Sequence, residues 1–189
     1  MKLIYIRHAQ TKANLSGDMV KDYANADILP VDRKEWFEKT GFKCHNAKIF
    51  CSPAKRCRQT VRALFGDTPY MVLPNLHEFD CGGLGDKKFW EISEEEFNQL
   101  VPLKKEEMLE RIENALIDIM ANSDDAEEAI VVGHGLYGRT LFDYFNKKKD
   151  TPYELLNSKH FQFSNLDVMV IEHAKVQEVK RYKEPYKRG

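Results

Sequence analysis

Six side chains carry most of the chemistry this sequence has to offer: Arg7, His8, Asn14, Arg56, Glu78 and His134. Two guanidiniums supply N–H donors in planar forks that match the oxygens of a tetrahedral dianion. Two imidazoles titrate close to neutral pH when unperturbed. A single carboxylate among these cations, Glu78, is the natural proton donor and acceptor. The set suits a phosphate-like group. Any one member of it would be unremarkable as a surface residue or a satisfied core histidine.

Each group follows a predicted strand. Residues 3–6 are aliphatic and aromatic, two of them β-branched, and stop at Arg7-His8. Residues 47–51 form a second run leading into Ser52-Pro53. Pro53 is placed at the first turn of a helix reaching about Phe65, with Val61, Leu64 and Phe65 as its apolar stripe and Gly66 closing it. Residues 70–73, between Pro69 and Pro74, precede Glu78, and residues 129–132 precede Gly133-His134-Gly135 and a helix to about Asn146. In an open sheet such ends converge on one crevice. The backbone amides at the helix starts after His8 and His134, Gly135 included, would add anion contacts.

The remaining elements frame that crevice. A short helix is expected from Asp32 to Thr40, ended by Gly41, and a glycine-rich loop from Cys81 to Gly85. Helices follow over 89–100 and 104–120, the second with Met108, Ile112, Ala115, Leu116 and Ile119 at helical spacing. Asp124 to Glu128 reads as a solvated acidic loop, and 166–172 with 176–181 as a final hairpin. The basic runs at 147–149 and 183–188 read as solvated ends. The alternation predicts an α/β fold: a three-layer α/β/α sandwich with a mostly parallel sheet and an antiparallel C-terminal edge, in one domain over 1–189.

Bulk properties narrow the function further. With 42% hydrophobic and 31% charged residues the chain is of ordinary globular composition, and a net charge of -1 gives no global field for nucleic acid or an anionic membrane. Cys44, Cys51, Cys57 and Cys81 contain no C-x-x-C pair and no histidine at metal-ligand spacing, so they read as free, buried or half-buried thiols of a reducing compartment. No stretch has the length of a signal-peptide core or a transmembrane helix, and a cytoplasmic location is expected.

The motifs themselves resemble a known family. Arg7-His8-Ala9-Gln10-Thr11-x-x-Asn14 resembles the R-H-G-[EQ]-[ST]-x-x-N signature of the histidine phosphatase superfamily, the phosphoglycerate mutase-like proteins. Ser52-Pro53-Ala54-Lys55-Arg56-Cys57-Arg58-Gln59-Thr60 is similar to its S-P-L-x-R-A-x-Q-T segment, Leu76-x-Glu78 followed by Gly82 to L-x-E-x-x-x-G, and Val132-Gly133-His134-Gly135 to V-S-H-G. The four occur in family order. The resemblance implies His8 as a nucleophile that becomes phosphohistidine and Glu78 as general acid and base. It also implies that Arg7, Asn14, Arg56, His134 and Gly135 hold the phosphate, with no metal and no cofactor. The expected partner is a small phosphorylated substrate or a phosphoprotein, not a nucleic acid or a membrane. Three features depart from the pattern. Ala9 stands for the commoner Gly; Leu84, Gly85 and Asp86 stand where the family often has Trp, Glu and Gly; and the usual D-x-x-L-T-x-x-G-x-x-Q-A stretch is not recognisable between 17 and 43.

Other readings compete. The ionisable residues would be structural if His8 and His134 were core histidines and Arg56 and Glu78 a salt bridge; His45, His77, His160, His173 and Arg62 keep such a reading. Gly133, Gly135 and Gly138 satisfy G-x-G-x-x-G between a strand and a helix, the spacing of a dinucleotide-binding turn. No acidic residue at a strand end follows at the distance a ribose contact needs, and that reading leaves Arg7, His8 and Arg56 idle. A mutase of the same family would carry a longer insertion between Glu78 and His134 to shield its phosphoenzyme, so hydrolysis is favoured.

Overall fold

β1 (Lys2–Arg7) holds four consecutive buried residues, Leu3 to Ile6, because it lies inside a six-stranded sheet with a core on each face. The computed structural model describes residues 1–16, 25–81, 84, 87, 91–157 and 161–183. The other strands are β2 (Ala47–Cys51), β3 (Tyr70–Val72), β4 (Glu128–Gly133), β5 (Val168–Glu172) and β6 (Lys175–Lys180), and the sheet order is β3-β2-β4-β1-β5-β6. The first four in that order run parallel, β5 runs antiparallel to β1, and β6 antiparallel to β5. This is the α/β architecture with an antiparallel C-terminal edge that the alternation of patterns implies.

Side chains alternate across β1. Leu3 and Tyr5 enter a core shared with α5 (Lys105–Ala121) and α6 (Gly135–Phe145), while Ile4 and Ile6 enter one shared with α2 (Arg33–Thr40) and α3 (Lys55–Phe65). Each fully buried aliphatic side chain contributes roughly 1.5–3 kcal/mol, so both faces reward an unbroken apolar run. Asp32 caps α2 by accepting from the Glu35 amide, and Gly41 ends it at φ 55°, where a β-carbon would be strained. Trp36 of that helix is fully buried and donates Nε1–H to the Leu166 carbonyl at 2.9 Å. In α5, Met108, Ile112, Ala115 and Ile119 form the buried stripe, with Leu116 packed at its edge.

Several boundaries differ from the sequence expectation. Pro53 lies outside α3: the helix begins at Lys55 behind Ala54, so the proline shapes the approach to the helix. Glu128 belongs to β4, where it is buried, paired with Lys2 at 2.8 Å and accepting from the His45 amide. It is not part of a solvated loop. β5 starts at Val168 because Leu166 takes a left-handed φ of 65°, which strand geometry excludes. β3 stops at Val72, and Cys44 is exposed.

Within the expected 89–100 helix, α4 spans Glu94–Leu100 behind the Ser93 cap, and residues 88–90 lie outside the described residues. Gly82, Gly83, Gly85, Asp86, His160 and the tail beyond Lys183 also lie outside them, as do residues 17–24. The helix expected after His8 is the short α1 (Lys12–Ser16), and a further short helix, α7 (Pro152–Leu156), carries a full Thr151/Glu154 capping box. Among the described residues no helix is long and apolar enough to cross a membrane.

The parallel register sets the site. Arg7 lies opposite Gly133 and Cys51 opposite Val132, so the residues that follow emerge level with one another. Hydrogen bonds continue one step beyond the strands: the His8 amide donates to the Gly133 carbonyl at 2.8 Å and the Ser52 amide to the Val132 carbonyl at 3.0 Å. The Tyr5 hydroxyl accepts from the His134 amide at 2.6 Å and donates to its carbonyl at 2.9 Å, fixing that peptide from below. A β-carbon at Gly133 would lie 2.2 Å from that hydroxyl. Gly133→Ala is therefore expected to destabilise the fold by about 1–3 kcal/mol, as overpacking does, read as a lower urea midpoint with an unchanged slope.

Candidate active site

Arg56 connects the two imidazoles. Its Nε–H donates to His8 Nε2 at 3.1 Å and its Nη2 to His134 Nδ1 at 2.8 Å. All three side chains are buried, with relative exposures of 3% for Arg56, 4% for His8 and 0% for His134. α3 delivers Arg56 because its first turn rises directly behind β2, while His8 and His134 end β1 and β4.

The partners dictate the tautomers. Arg56 can only donate, so His8 Nε2 and His134 Nδ1 are both lone-pair nitrogens. The opposite nitrogen of His8, Nδ1, donates to the Ala9 carbonyl at 2.8 Å. The opposite nitrogen of His134, Nε2, donates to Ser52 Oγ at 2.7 Å. Burial holds both imidazoles well below their ordinary value, and the Arg56 cation adds to the effect in each. His8 therefore presents a neutral ring whose basic nitrogen is Nε2.

Arg7 emerges one residue earlier and lies against the next turn. Its Nη1 donates to the Phe163 carbonyl, and its Nε is buried without a partner among the described residues. Its guanidinium packs on the backbone of Gly135, where a β-carbon would be 3.0 Å from Cζ. A β-carbon at Gly138 would in turn be 2.8 Å from Phe163 and Tyr5. The G-x-G-x-x-G spacing thus serves close packing of Tyr5, Arg7 and Phe163 on α6, and the space a pyrophosphate would need over Gly135 is filled by Arg7.

Glu78 faces the same turn from the other side. Its Oε1 accepts from the Phe79 amide at 3.0 Å and the Tyr137 amide at 2.9 Å, and its Oε2 from the Leu136 amide at 3.1 Å. It makes no ion pair with Arg56 among the described contacts; its partners are the first amides of α6. Those amides are consequently not available to an anion, contrary to the expectation for the helix start after His134, with Gly135 N–H the exception among the described residues. After His8 two amides are likewise taken, the Ala9 amide by Thr60 Oγ1 at 2.9 Å and the Thr11 amide by Asn14 Oδ1 at 3.1 Å. Ala9 is not among the residues of positive φ, so nothing in its backbone requires glycine.

Asn14 joins the group through a residue the motifs did not reveal. Asn165 Nδ2 donates to both the His8 carbonyl, at 2.9 Å, and Asn14 Oδ1, at 3.0 Å. Asn14 Oδ1 is thereby occupied, which leaves its Nδ2 as the end able to donate outward. His77, given a structural reading from the sequence, places its ring 6.2 Å from that of His134 with an interplanar angle of 24°. His8, Arg7, Arg56, His134, Glu78, Gly135 and Asn14 thus form one connected cluster. Among the described residues no group of three or more His, Cys, Asp or Glu side chains is placed to hold a metal ion.

The sequence matches the model of the histidine phosphatase superfamily (branch 1) over residues 3–183. The chain belongs to that superfamily. No curated protein sequence matches it. Among solved structures it is similar to a phosphoserine phosphatase mutant from Entamoeba histolytica in complex with phosphoserine. That match has a TM-score of 0.74 and 17% identity, over 96% of this chain and 98% of the other. It is also similar to the alpha-ribazole phosphatase from Shigella flexneri, with a TM-score of 0.69 and 15% identity over 100% of both chains. At such identities the likeness is one of fold.

The neutral rings link folding to pH. An unfolded chain takes protons on these imidazoles from about pH 6.5 downward, whereas the folded chain resists them. Their contribution to stability is therefore complete above that range and is lost as pH falls below it, at no more than about 1.4 kcal/mol per pH unit for each ring. Urea titrations at about pH 7.5 and about pH 5.5 should show a smaller acid loss for His8→Asn than for the native chain.

Proposed function

We propose that the protein is a phosphatase that hydrolyses a phosphate monoester through a phosphohistidine on His8. The observation that carries this reading is the direction of His8: Nδ1 is committed to the Ala9 carbonyl, leaving Nε2 as a neutral, basic nitrogen beside the Arg56 guanidinium. Nε2 attacks phosphorus as the bond to the ester oxygen breaks, and Glu78 gives that oxygen its proton. Water then attacks phosphorus and returns a proton to Glu78, the P–N bond breaks, and inorganic phosphate leaves. Arg7, Arg56, Asn14 Nδ2, His134 and Gly135 N–H hold the remaining oxygens; loss of one such donor should cost roughly 10²–10³ in rate.

Glu78 suits its part through the geometry of its acceptors. A carboxylate offers about four lone-pair sites, and three amides fill two on Oε1 and one on Oε2. The transferable proton belongs on the remaining site of Oε2. His134 has a related adjustment to make. Its Nδ1 accepts from Arg56 in this arrangement, so donation to a phosphate oxygen requires the dianion to draw a proton onto it, which the arriving negative charge favours.

Hydrolysis rather than transfer to a second acceptor is supported by the stretch between Glu78 and His134. α4, α5 and β4 occupy much of it, with α5 alone taking 17 residues. The substrate is a small phosphorylated molecule or a phosphoprotein. The similar structures named for phosphoserine and alpha-ribazole phosphatases guide the first compounds to try.

Turnover of a panel of phosphate esters tests the assignment. The native protein should accumulate acid-labile phosphate and release inorganic phosphate, with negligible turnover for His8→Ala. Glu78→Gln should lose about 10²–10⁴ in kcat/KM for alkyl esters. Comparable turnover in the native chain and His8→Ala would reject the nucleophile.

A further inference from the structure

We infer that Arg111 is a positioning residue that fixes Glu78 for proton transfer; this rests on the phosphatase reading above. Arg111 lies on α5, far along the chain from Glu78, and grips the peptide on either side of it. Its Nη2 donates to the carbonyl of His77 at 2.8 Å, one residue before Glu78. Its Cζ stands 4.0 Å above the ring centroid of Phe79, one residue after. The Phe79 ring stacks on Tyr137 at 5.3 Å and 11°, and Tyr137 contributes one of the amides that Glu78 accepts from. Both the backbone carrying Glu78 and the helix turn receiving its carboxylate are thereby referred to one guanidinium.

The position is unfavourable for an arginine that only fills space. Its Nε is buried without a partner among the described residues, and burial lowers the guanidinium from its ordinary value. An aliphatic side chain of similar length would fill the volume without stranding a donor. What it could not supply is a directed bond to the His77 carbonyl together with a planar cation on the Phe79 face. With Oε1 filled by two amides, a small rotation of the 77–79 peptide would turn the open site of Oε2 away from the leaving oxygen. Proton transfer is far more sensitive to such a displacement than binding is.

The test uses the leaving group, because a good one needs no proton. For Arg111→Met, kcat/KM should fall about 10²-fold with an alkyl phosphate but only about fivefold or less with p-nitrophenyl phosphate. Arg111→Lys, which keeps a donor for the His77 carbonyl, should recover part of the alkyl activity, and it carries the same comparison should the methionine variant fail to fold by circular dichroism. Glu78→Gln/Arg111→Met should be no slower on the alkyl ester than Glu78→Gln alone, because the two act as a unit. Equal losses on both esters, or an additive double variant, would overturn the inference. Native protein without acid-labile phosphate would instead remove the phosphatase reading beneath it, so the two failures are distinguishable.

Discussion

Two neutral imidazoles held by one buried guanidinium are the arrangement on which the rest of the structure depends. Arg56 donates to a ring nitrogen of each, and that alone determines where their protons sit. Burial and the adjoining cation oppose protonation of either ring, so positive charge is concentrated on arginine and basicity on His8 Nε2. Positive charge and a basic nitrogen that accepts from it thus stand side by side, the combination that the proposed attack on phosphorus would use.

Such an arrangement survives only on a rigid support. The parallel register of β1 and β4 brings His8 and His134 level, and the Tyr5 hydroxyl ties the His134 peptide to the sheet. A row of rings lies beneath: Phe79 on Tyr137, Tyr137 on Tyr5, and Tyr5 on Phe163, whose carbonyl accepts from Arg7. These rings belong to segments that each carry a polar residue of the site. Packing and polar geometry are therefore one problem: a change in ring volume shifts the segments that carry Glu78, His134, Arg7 and Asn165.

Much of this was legible in the sequence where a local rule has a single outcome. Unbroken apolar runs at 3–6 and 129–132 announce strands buried on both faces, and Asp32 and Gly41 bound their helix as capping chemistry requires. The four motifs located the polar residues. What could not be read arises from tertiary contacts with no local signature. Glu78 takes the amides of α6, Asn165 reaches His8 and Asn14 from the loop before β5, and Glu128 enters the sheet because Lys2 and the His45 amide await it. The left-handed Leu166 is likewise imposed from outside, its amide bonded to the Arg7 carbonyl and its own carbonyl to Trp36. The G-x-G-x-x-G spacing, already disfavoured as a dinucleotide turn by the sequence, has a tertiary cause: glycine is needed there to admit Tyr5, Arg7 and Phe163.

The loop that backs His8 is secured through Asp167. Asp167, fully buried, accepts from the amides of Ser164 and Tyr182 and from Arg181, so the far end of the chain fastens the segment that carries Asn165. β1 is made first, yet its neighbours β4 and β5 follow more than a hundred residues later. The opening strand therefore stays an unpaired apolar segment until β4 and β5 have been made, and Asp167 gains its Tyr182 and Arg181 partners only after both. Until then its apolar residues and open edges are free to pair wrongly.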